Sequence, residues 1–409
     1  MHKTWRGLGN GCIVKLRMDS KPDIVCIATQ DWNDLWTRKQ RFMKRFSEEG
    51  FRVLFVETQV HWITYIREFR HRINRAFKFM KGATAVKENL WVATPPLVLP
   101  FFQMNTFICK LNSLLLSWFI KRQIRRLGFN DPVIYSYTPY SGYLMRRLKS
   151  SRKLYECVDE FVIDKGMVRK ETVARLERDT ILQSDAMVAT APFLLERKGS
   201  MAKRTYLIPN AADIDHYRGV NLDNVKPNDE ITNIPGPIVG FLGSVAYWID
   251  LELIAYVAEK LPHYSFVFVG PAHVDTSRLS GYDNVFFLGR KTFDELPSYI
   301  AAFDVCMNPY ILDDVASGCS PLKLYEYMAA GKPIVSVRMP EAEKFVDLVE
   351  IADSYEEFAQ KIEWLISRNK TWKRDFAERA WTESQNHTWG KRFEQTMTVF
   401  EECFNENRN

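Results

Sequence analysis

The sequence predicts an α/β protein built from two doubly wound parallel sheets with helices on their faces. Its 409 residues are enough for two or three domains of ordinary size. Short β-branched runs alternate with helical patterns twice along the chain, which is the βαβ rhythm of such sheets. A segment rich in Asn, Asp and Pro, residues 221–237, separates the two series and has no hydrophobic periodicity. We therefore expect a join between residues 209 and 236.

The first series predicts an N-terminal Rossmann-like domain at residues 1–209. Continuous apolar runs of four to seven residues are typical of strands that are buried on both faces. The predicted strands lie at residues 23–29, 52–57, 133–136 and 186–189. A helical pattern at 36–49 separates the first two strands, and Gly50 marks its end.

The second series predicts another Rossmann-like domain at residues 210–385. Its predicted elements are strands at 237–243, 264–270, 284–289, 304–310 and 334–337, with helices at 251–260, near 294–302 and from Glu341 onward. Three further helical stretches end near Phe404. We expect the last of them, within 386–409, to pack back on the N-terminal domain.

Composition and cysteine usage favour a cytoplasmic globular enzyme. The chain is 46% hydrophobic and 26% charged, which excludes disordered and low-complexity classes. The 7 cysteines are scattered without a close pair, as in a reduced compartment. The basic start, residues 1–21, has no apolar stretch of the kind found in secretory signals. The longest uncharged run, 89–109, contains three prolines and predicts a strand, a loop and a helix start rather than a membrane span.

Charge is distributed unevenly between the two halves of the chain. Residues 1–215 carry 37 Lys and Arg against 21 Asp and Glu, whereas residues 216–409 carry 19 against 29. Such a basic half suits phosphates, an acidic glycan or an anionic membrane leaflet. The cations at 121–126 beside the apolar residues at 114–119 indicate a basic amphipathic helix, or else an ordinary solvated helix face over a core. No nucleic-acid reader motif accompanies the charge, so nucleic acid is not an expected partner.

The segment 320–336 carries the clearest chemical signal. A loop of small residues, 315–320, leads into a predicted helix whose first N–H groups and dipole favour an anion such as a diphosphate. Lys323 on the first turn adds a point charge, and Glu326 on the same face is placed to accept hydrogen bonds from sugar hydroxyls. The alternative is a capped helix with a structural role only.

Four segments resemble, in order and spacing, the retaining glycosyltransferases of family 4, which have the GT-B fold. EYMAAGKPIV at 326–335 is similar to the E-A-M-A-x-G-x-P-V-V block that ends the donor segment of that family. The other similar segments are LIPNAAD at 207–213, GFLGSVAYWID at 240–250, and 284–310. Within the family, the chain resembles bacterial surface-polysaccharide transferases of the teichuronic acid biosynthesis type.

The resemblance implies a hexosyltransferase that moves a sugar from a nucleotide-diphosphate-sugar, a UDP- or GDP-sugar, to a glycan or lipid-linked acceptor. It implies two domains facing a cleft, retention of anomeric configuration, and no requirement for a metal. Glu326 would take the ribose hydroxyls, and Lys323 would also stabilise the departing diphosphate as a catalytic residue. The other implied donor residues are Gly243, Ser244, Arg290 and Lys291, with Ser320, Pro321 and Leu322 around the diphosphate.

One position departs from the family pattern. The family's acidic pair is Glu-x7-Glu, but Gly318 stands eight residues before Glu326. Asp313 and Asp314 are possible substitutes, although a solvated loop is their simpler role. Because of this departure, a protein that binds the donor without catalysing transfer is an alternative function. A nucleotide-sugar epimerase or hydrolase on the same fold is another. The Asp-x-Asp pattern at 213–215 suits a helix cap in the linker better than a metal site.

In the N-terminal domain, two pairs of residues are acceptor candidates. Asp31 and Trp32 follow the first strand at the carboxyl edge of the sheet, where open α/β sheets bind ligands. The alternative is a helix cap with a packed tryptophan. Gln40 and Arg41 belong to WTRKQR, which resembles the W-x-R-x-Q-R element of the same transferases.

Asp159 is the predicted catalytic residue of the N-terminal domain. It closes a predicted strand within 154–161, where relatives place a polar residue beside the reacting carbon. A carboxylate there would stabilise developing positive charge on the sugar or orient the acceptor hydroxyl. The alternative is an aspartate that caps its loop or pairs with Arg169 or Lys170.

Overall fold

Two α/β units, each with its own parallel sheet, make up the fold. The computed structural model describes residues 21–34, 36–65, 69–162, 168–222 and 224–404. The basic start discussed above lies, up to residue 20, outside the described residues. Unit 1 comprises residues 1–209 and 392–409, and unit 2 comprises residues 210–391. The boundary at 391 and 392 falls inside the last helix of the chain.

Unit 1 contains an eight-stranded sheet. Its strands are β1 Ile24–Ile27, β2 Val53–Val56, β3 Thr84–Lys87, β4 Leu90–Ala93, β5 Val133–Ser136, β6 Lys153–Cys157, β7 Ala186–Ala189 and β8 Thr205–Leu207. Their order is β3-β4-β2-β1-β5-β6-β7-β8, and every neighbouring pair is parallel except β3 with β4. The central strands are completely buried, which explains their continuous apolar runs.

Helices connect these strands and cover the sheet. They are α1 Arg38–Glu48, α2 Phe69–Lys81, α3 Thr106–Leu127, α4 Gly142–Leu148, α5 Lys170–Gln183 and α6 Pro192–Lys198. α1 begins with a capping box in which Thr37 and Gln40 satisfy each other's backbone N–H groups. Asn105 caps the start of α3, because its side chain accepts from the N–H of Phe107. Gly128 follows the last residue of the helix in the left-handed conformation.

Unit 2 contains a six-stranded, fully parallel sheet. Its strands are β9 Ile238–Leu242, β10 Ser265–Val269, β11 Val285–Gly289, β12 Val305–Asn308, β13 Ile334–Val337 and β14 Val349–Ala352. Its helices are α7 Ile214–Asn221, α8 Asp229–Thr232, α9 Leu251–Lys260, α10 Leu296–Ala301, α11 Asp314–Ser317, α12 Leu322–Ala329, α13 Tyr355–Ile366 and α14 Lys370–Ser384. The strand order β11-β10-β9-β12-β13-β14 is that of a doubly wound dinucleotide-binding sheet.

The strand order places one favoured ligand position in each sheet. The order in which successive strands are added to the sheet reverses between β9 and β12 in unit 2 and between β1 and β5 in unit 1. Open α/β sheets bind ligands beyond the carboxyl ends of the strands at such points. The loops that follow β9 and β1 are therefore the positions from which a site is built.

The last helix, α15 Trp389–Phe404, returns to unit 1 after unit 2 is complete. Phe393 and Phe400 each lie 4.8 Å, between ring centroids, from Phe46 of α1. Phe400 also contacts Tyr135 of β5 at 6.0 Å. These buried aromatic contacts attach the end of the chain to the core of unit 1.

Three predicted elements differ from the structure. The helix expected from Glu341 is a single 3-10 turn, Ala342–Phe345, and it is followed by β14, which was not expected. The strand expected to end at Asp159 ends at Cys157, so Asp159 lies in the following loop. Among the described residues, no helix is both long and apolar enough to span a membrane.

Candidate functional site

The N-terminus of α12 is the first component of the candidate site in unit 2. The residue before the helix is Pro321, and no side chain caps the helix there. The first-turn N–H groups of Leu322 and Lys323 therefore have no capping acceptor, and both residues are half-buried rather than enclosed. Such an end, with the positive pole of the helix dipole, is suited to an anion.

Lys323 and Glu326 form the second component. Lys323 Nζ lies 3.0 Å from Glu326 Oε2, and the two side chains are mostly but not fully buried. Gly243, which follows β9, lies beside them, because a Cβ atom on Gly243 would stand 3.1 Å from Lys323 Cε. The structure therefore brings together three of the predicted donor residues at the carboxyl end of β9, with Ser244 next in the chain.

The loop before α12 is held by Ser320, which is buried. Its hydroxyl accepts from the N–H of Asn210 at 3.1 Å, and its carbonyl accepts from the Asn210 side chain at 2.8 Å. The hydroxyl also lies 3.2 Å from the hydroxyl of Tyr325. Ser320 therefore positions the loop, and with Pro321 also buried, an anion would meet the backbone of the residues that follow.

Two tyrosines of α12 anchor the helix, and their role was missed in the sequence. The hydroxyl of Tyr325 donates to Glu341 at 2.6 Å, and the hydroxyl of Tyr327 accepts from the N–H of Leu242, the last residue of β9, at 2.8 Å. Tyr327 thus fixes the distance between α12 and the end of β9. The spacing of the two tyrosines gave no signal, because their partners are distant in sequence.

Arg290 and Lys291 follow β11 and have different surroundings. Arg290 is exposed. Lys291 Nζ donates to Glu230 at 2.6 Å, and Tyr299 donates to the same carboxylate oxygen. This hydrogen bond raises the pKa of Lys291 and, together with that from Tyr299, lowers the pKa of Glu230. Lys291 is thus paired with α8, which leaves Arg290 as the more accessible cation of the two.

The carboxylates near Gly318 belong to a short helix. Asp313 accepts from the N–H of Ala316 at 2.9 Å and so caps α11. Gly318 itself is buried at the end of that helix. Asp213 occupies the corresponding position before α7. Within the described residues, no group of three or more His, Cys, Asp or Glu side chains is arranged to hold a metal ion.

In unit 1, Asp31 and Trp32 lie at the carboxyl end of β1 as expected. Asp31 accepts from Arg75 at 2.9 Å and from the N–H of Thr58 at 3.2 Å. Burial raises the pKa of Asp31 despite the opposing charge of Arg75. Trp32 is buried and packs edge-on against Phe55 at 5.1 Å, so its ring is part of the core.

Gln40 and Arg41 differ in accessibility. Gln40 is completely buried, its Oε1 accepts from the N–H of Thr37, and its side-chain nitrogen donates to the carbonyl of Asp31. Gln40 therefore connects α1 to the loop after β1. Arg41 is half-buried and is the more accessible of the two.

Asp159 lies two residues beyond β6 and is exposed at its surface, yet many protein atoms surround it. This crowding raises the pKa of Asp159 to about 6, against the attraction of Lys39 and Lys198. Burial in turn lowers the pKa of Lys39, which donates to Gln30 at 3.3 Å. A carboxylate that titrates near neutral pH is suited to proton transfer and charge stabilisation.

A buried ion-pair network holds the loop of Asp159. Lys198 Nζ donates to Glu160 at 3.0 Å and to Glu177 of α5 at 2.9 Å. Burial alone would lower the pKa of Lys198, but its buried neighbours, the two carboxylates among them, outweigh that effect and raise it. Glu160 also accepts from the N–H of Val162. The sequence gave no signal for Lys198, which lies 38 residues from Glu160.

A small cavity lies beyond the carboxyl ends of β1, β2 and β5. Its lining includes Glu57, Thr138 and the inner face of α3, and its volume for a water-sized sphere is about 20 Å³. That volume is sufficient for about one ordered water and too small for a sugar ring. The cavity is therefore not a preformed acceptor site.

A protein family and two curated proteins are similar to parts of this chain. The family described as Glycosyl transferases group 1 matches residues 236–368. A protein named as a teichuronic acid biosynthesis glycosyltransferase, TuaH of Bacillus subtilis (strain 168), is 25% identical over 185 residues, covering 43% of this chain and 46% of that protein. The 2-deoxystreptamine glucosyltransferase of Streptomyces kanamyceticus is 24% identical over 159 residues, 36% of this chain and 40% of that protein. The chain thus spans less than half the length of these curated relatives.

Solved structures match nearly the whole chain. Sucrose-phosphate synthase from Thermosynechococcus elongatus has a TM-score of 0.70 at 14% identity and covers 94% of this chain and 99% of that one. Anabaena Alr3699/HepE in complex with UDP and glucose has a TM-score of 0.64 at 14% identity and covers 93% and 99%. These similarities confirm the predicted fold class. The chain therefore has the GT-B fold, and residues 236–368 of its unit 2 are similar to the glycosyl transferases group 1 family.

Proposed function

We propose that this chain is a glycosyltransferase that moves a sugar from a nucleotide-diphosphate-sugar to an acceptor. The observation that carries the proposal is the Lys323 and Glu326 pair beside Gly243, at the uncapped start of α12. This arrangement lies where the strand order of unit 2 reverses, which is the position that open α/β sheets use for nucleotides.

The arrangement supplies what departure of a nucleoside diphosphate requires. Negative charge grows on the diphosphate as the bond to the sugar breaks, and the N–H groups of α12 together with Lys323 would stabilise that charge. Glu326 would accept hydrogen bonds from the ribose hydroxyls, which would fix the nucleotide relative to the helix. Arg290, which is exposed, would lie near the base of the nucleotide.

We propose a UDP-sugar as donor, with a GDP-sugar as the alternative to be tested. The Anabaena neighbour was solved in complex with UDP-glucose, and binding of that nucleotide is a property of that protein. Because α12 and Lys323 supply positive charge, the proposed mechanism uses no metal. Membership of family 4 and retention of anomeric configuration belong to the same proposal and rest on the segments at 207–335.

Asp159 is the proposed catalytic residue of unit 1. Its pKa of about 6 makes it a carboxylate above that pH, able to orient an acceptor hydroxyl or to stabilise positive charge on the sugar. The proposed acceptor is a glycan or a lipid-linked glycan of surface-polysaccharide biosynthesis, in keeping with the name of the Bacillus relative. A lipid-linked acceptor would bring the protein to the cytoplasmic face of the plasma membrane.

Nucleotide binding by the Glu326→Gln variant tests the donor site. Loss of one charge-assisted hydrogen bond costs about 1.5–3 kcal/mol, so we expect the Kd for UDP, measured by titration calorimetry, to rise by about 10- to 100-fold. The control is Glu343→Gln, which removes an exposed carboxylate paired with Arg338 in the same unit. If UDP and GDP bind wild type and Glu326→Gln with the same affinity, the donor site is elsewhere.

A further inference from the structure

The outward face of α3 carries large apolar side chains that are exposed to solvent. Phe107 is 65% exposed and Trp118 is 49% exposed, and Leu111, Leu114 and Leu115 are also exposed. At 100° per residue these five positions fall within one side of the helix, opposite the side that packs on the sheet. We call these five side chains the apolar face of α3. A helix that only covers a core would present polar residues there.

The apolar face continues into a cationic region at the end of the same helix. Lys121, Arg122, Arg125 and Arg126 lie in its last two turns, and the Arg122 guanidinium stands 6.0 Å from the Trp118 ring centroid. Neither α3 nor the neighbouring α2 contains an Asp or Glu in its sequence. The two helices pack together through Phe79 and Phe119, whose ring centroids are 5.6 Å apart. The surface is therefore apolar and cationic with no acidic residue from either helix.

We propose that the apolar face of α3 and its cationic end dock on an anionic lipid bilayer. Aromatic and aliphatic side chains beside Lys and Arg on one helix are typical of helices that lie in the membrane interface and insert their apolar side chains at the acyl boundary. α3 has 22 residues, so it would lie along the membrane over about 33 Å at 1.5 Å per residue. A bilayer with anionic headgroups complements both parts of this surface at once.

Charge argues against a second copy of the chain as the occupant. A symmetric contact through α3 would bring the cations of two α3 helices into one interface, and neither α2 nor α3 has a carboxylate to compensate them. The inference rests on exposure and charge alone. It therefore goes beyond the proposed glycosyl transfer and does not depend on it.

Vesicle sedimentation with the full chain tests the proposal. We expect wild type to bind vesicles of phosphatidylcholine with phosphatidylglycerol and to bind pure phosphatidylcholine at least about tenfold more weakly. The Leu114→Gln, Trp118→Gln double variant removes apolar insertion and should weaken binding to the anionic vesicles by about 10- to 100-fold. The control is Val346→Gln in unit 2, which replaces an even more exposed apolar residue and should bind as wild type does.

A second double variant, Arg122→Gln with Arg125→Gln, separates charge from insertion. At low salt, the ratio of its affinity for anionic vesicles to its affinity for pure phosphatidylcholine vesicles should fall by about tenfold or more, because each cation near the surface contributes about 1 kcal/mol. Unchanged binding in either double variant would overturn the proposal. So would self-association in vesicle-free sedimentation that Leu114→Gln, Trp118→Gln abolishes, since the face would then serve a second copy. Affinity for UDP, measured on the same samples, reports on the donor site separately.

Discussion

Asp159 combines an accessible carboxylate with surroundings that oppose its charge. Because its pKa is raised to about 6, folding takes up a proton between the pKa of the unfolded chain and that of the native state. The ionised side chain therefore costs stability at neutral pH. Such a cost is retained where a residue has a chemical role, and the loop is held in place by the buried pairing of Glu160 with Lys198.

Asp159→Asn should raise the melting temperature at pH 7.5, because the variant removes a carboxylate whose ionised form is disfavoured in the native state. The difference from wild type should approach its full size above the native pKa of about 6 and should vanish only well below the ordinary value of 3.8, where the carboxyl group is protonated in both folded and unfolded chains. Sugar transfer should fall in the same variant. Thermal unfolding across this pH range and transfer assays measure the two effects.

Asp131 is a control for this prediction, because its pKa is shifted down where that of Asp159 is shifted up. Hydrogen bonds from Ser151 hold the pKa of Asp131 below its ordinary value although burial opposes them. Asp131 therefore contributes stability above the unfolded pKa, and that contribution is lost as the pH falls. Asp131→Asn should lower the melting temperature at pH 7.5. An Asp159→Asn variant that is also less stable than wild type at pH 7.5 would show that its carboxylate is stabilised rather than penalised.

The sequence indicates which candidate residues lie together where they are near in the chain, and it gives no signal for contacts between distant residues. The pairing of Lys323 with Glu326 follows from helical spacing, and the structure shows it. Ser320 was expected among the residues around the diphosphate, and its contacts with Asn210, 110 residues earlier, which hold the loop, were not foreseen. Trp32 was similarly ambiguous, because a stacking ring and a core ring have the same local pattern.

At the scale of elements, the ends of β9 and β10 meet through two glycines. Gly243 and Gly270 both have φ near +150°, where side chains are strained. A Cβ atom on Gly270 would stand 2.1 Å from the carbonyl oxygen of Gly243. The close approach of these two loops beside Lys323 therefore requires glycine and shapes the candidate donor site.

Gly270→Ala should destabilise the protein by at least about 1–3 kcal/mol, because the backbone conformation is strained and the new methyl group meets backbone atoms. It should also weaken UDP binding, since the loop of Gly243 must move. Urea unfolding and nucleotide titration measure these effects. The control Gly281→Ala has open space around the new Cβ atom and should leave both unchanged. A neutral Gly270→Ala would mean that the two loops are not fixed as described.

Elements with strong local patterns were predicted at their observed bounds, whereas the edge strands β3 and β14 were not. The helix at 251–260 and the strands at 133–136 and 186–189 match the structure. β3 is exposed along its whole length and forms the antiparallel edge of its sheet, so it lacks a hydrophobic signal. β14 is an edge strand of the other sheet and contains Glu350, and the pattern around Glu341 favoured a helix instead.

At the scale of the whole molecule, each unit has a core of its own. The chain crosses from unit 1 to unit 2 at residue 209 and returns within α15. The return adds Phe393, Phe400 and Phe404 to the aromatic cluster of unit 1. The proposed nucleotide site and the core that α15 completes thus belong to different units, so damage to one core should be separable from damage to the other.

Phe400→Ala should destabilise unit 1 by about 3–5 kcal/mol, because it leaves a cavity in a fully buried aromatic cluster. Hydrogen exchange should accelerate in α1 and β5 but not in α9 or α12, and affinity for UDP should be retained. The reciprocal variant is Phe376→Ala in unit 2, where a buried ring stacks on Trp372 at 5.2 Å. It should accelerate exchange in unit 2 and spare α1. Equal acceleration in both units by either variant would mean that the two cores unfold as one, and the separation of nucleotide binding from the α15 core would not hold.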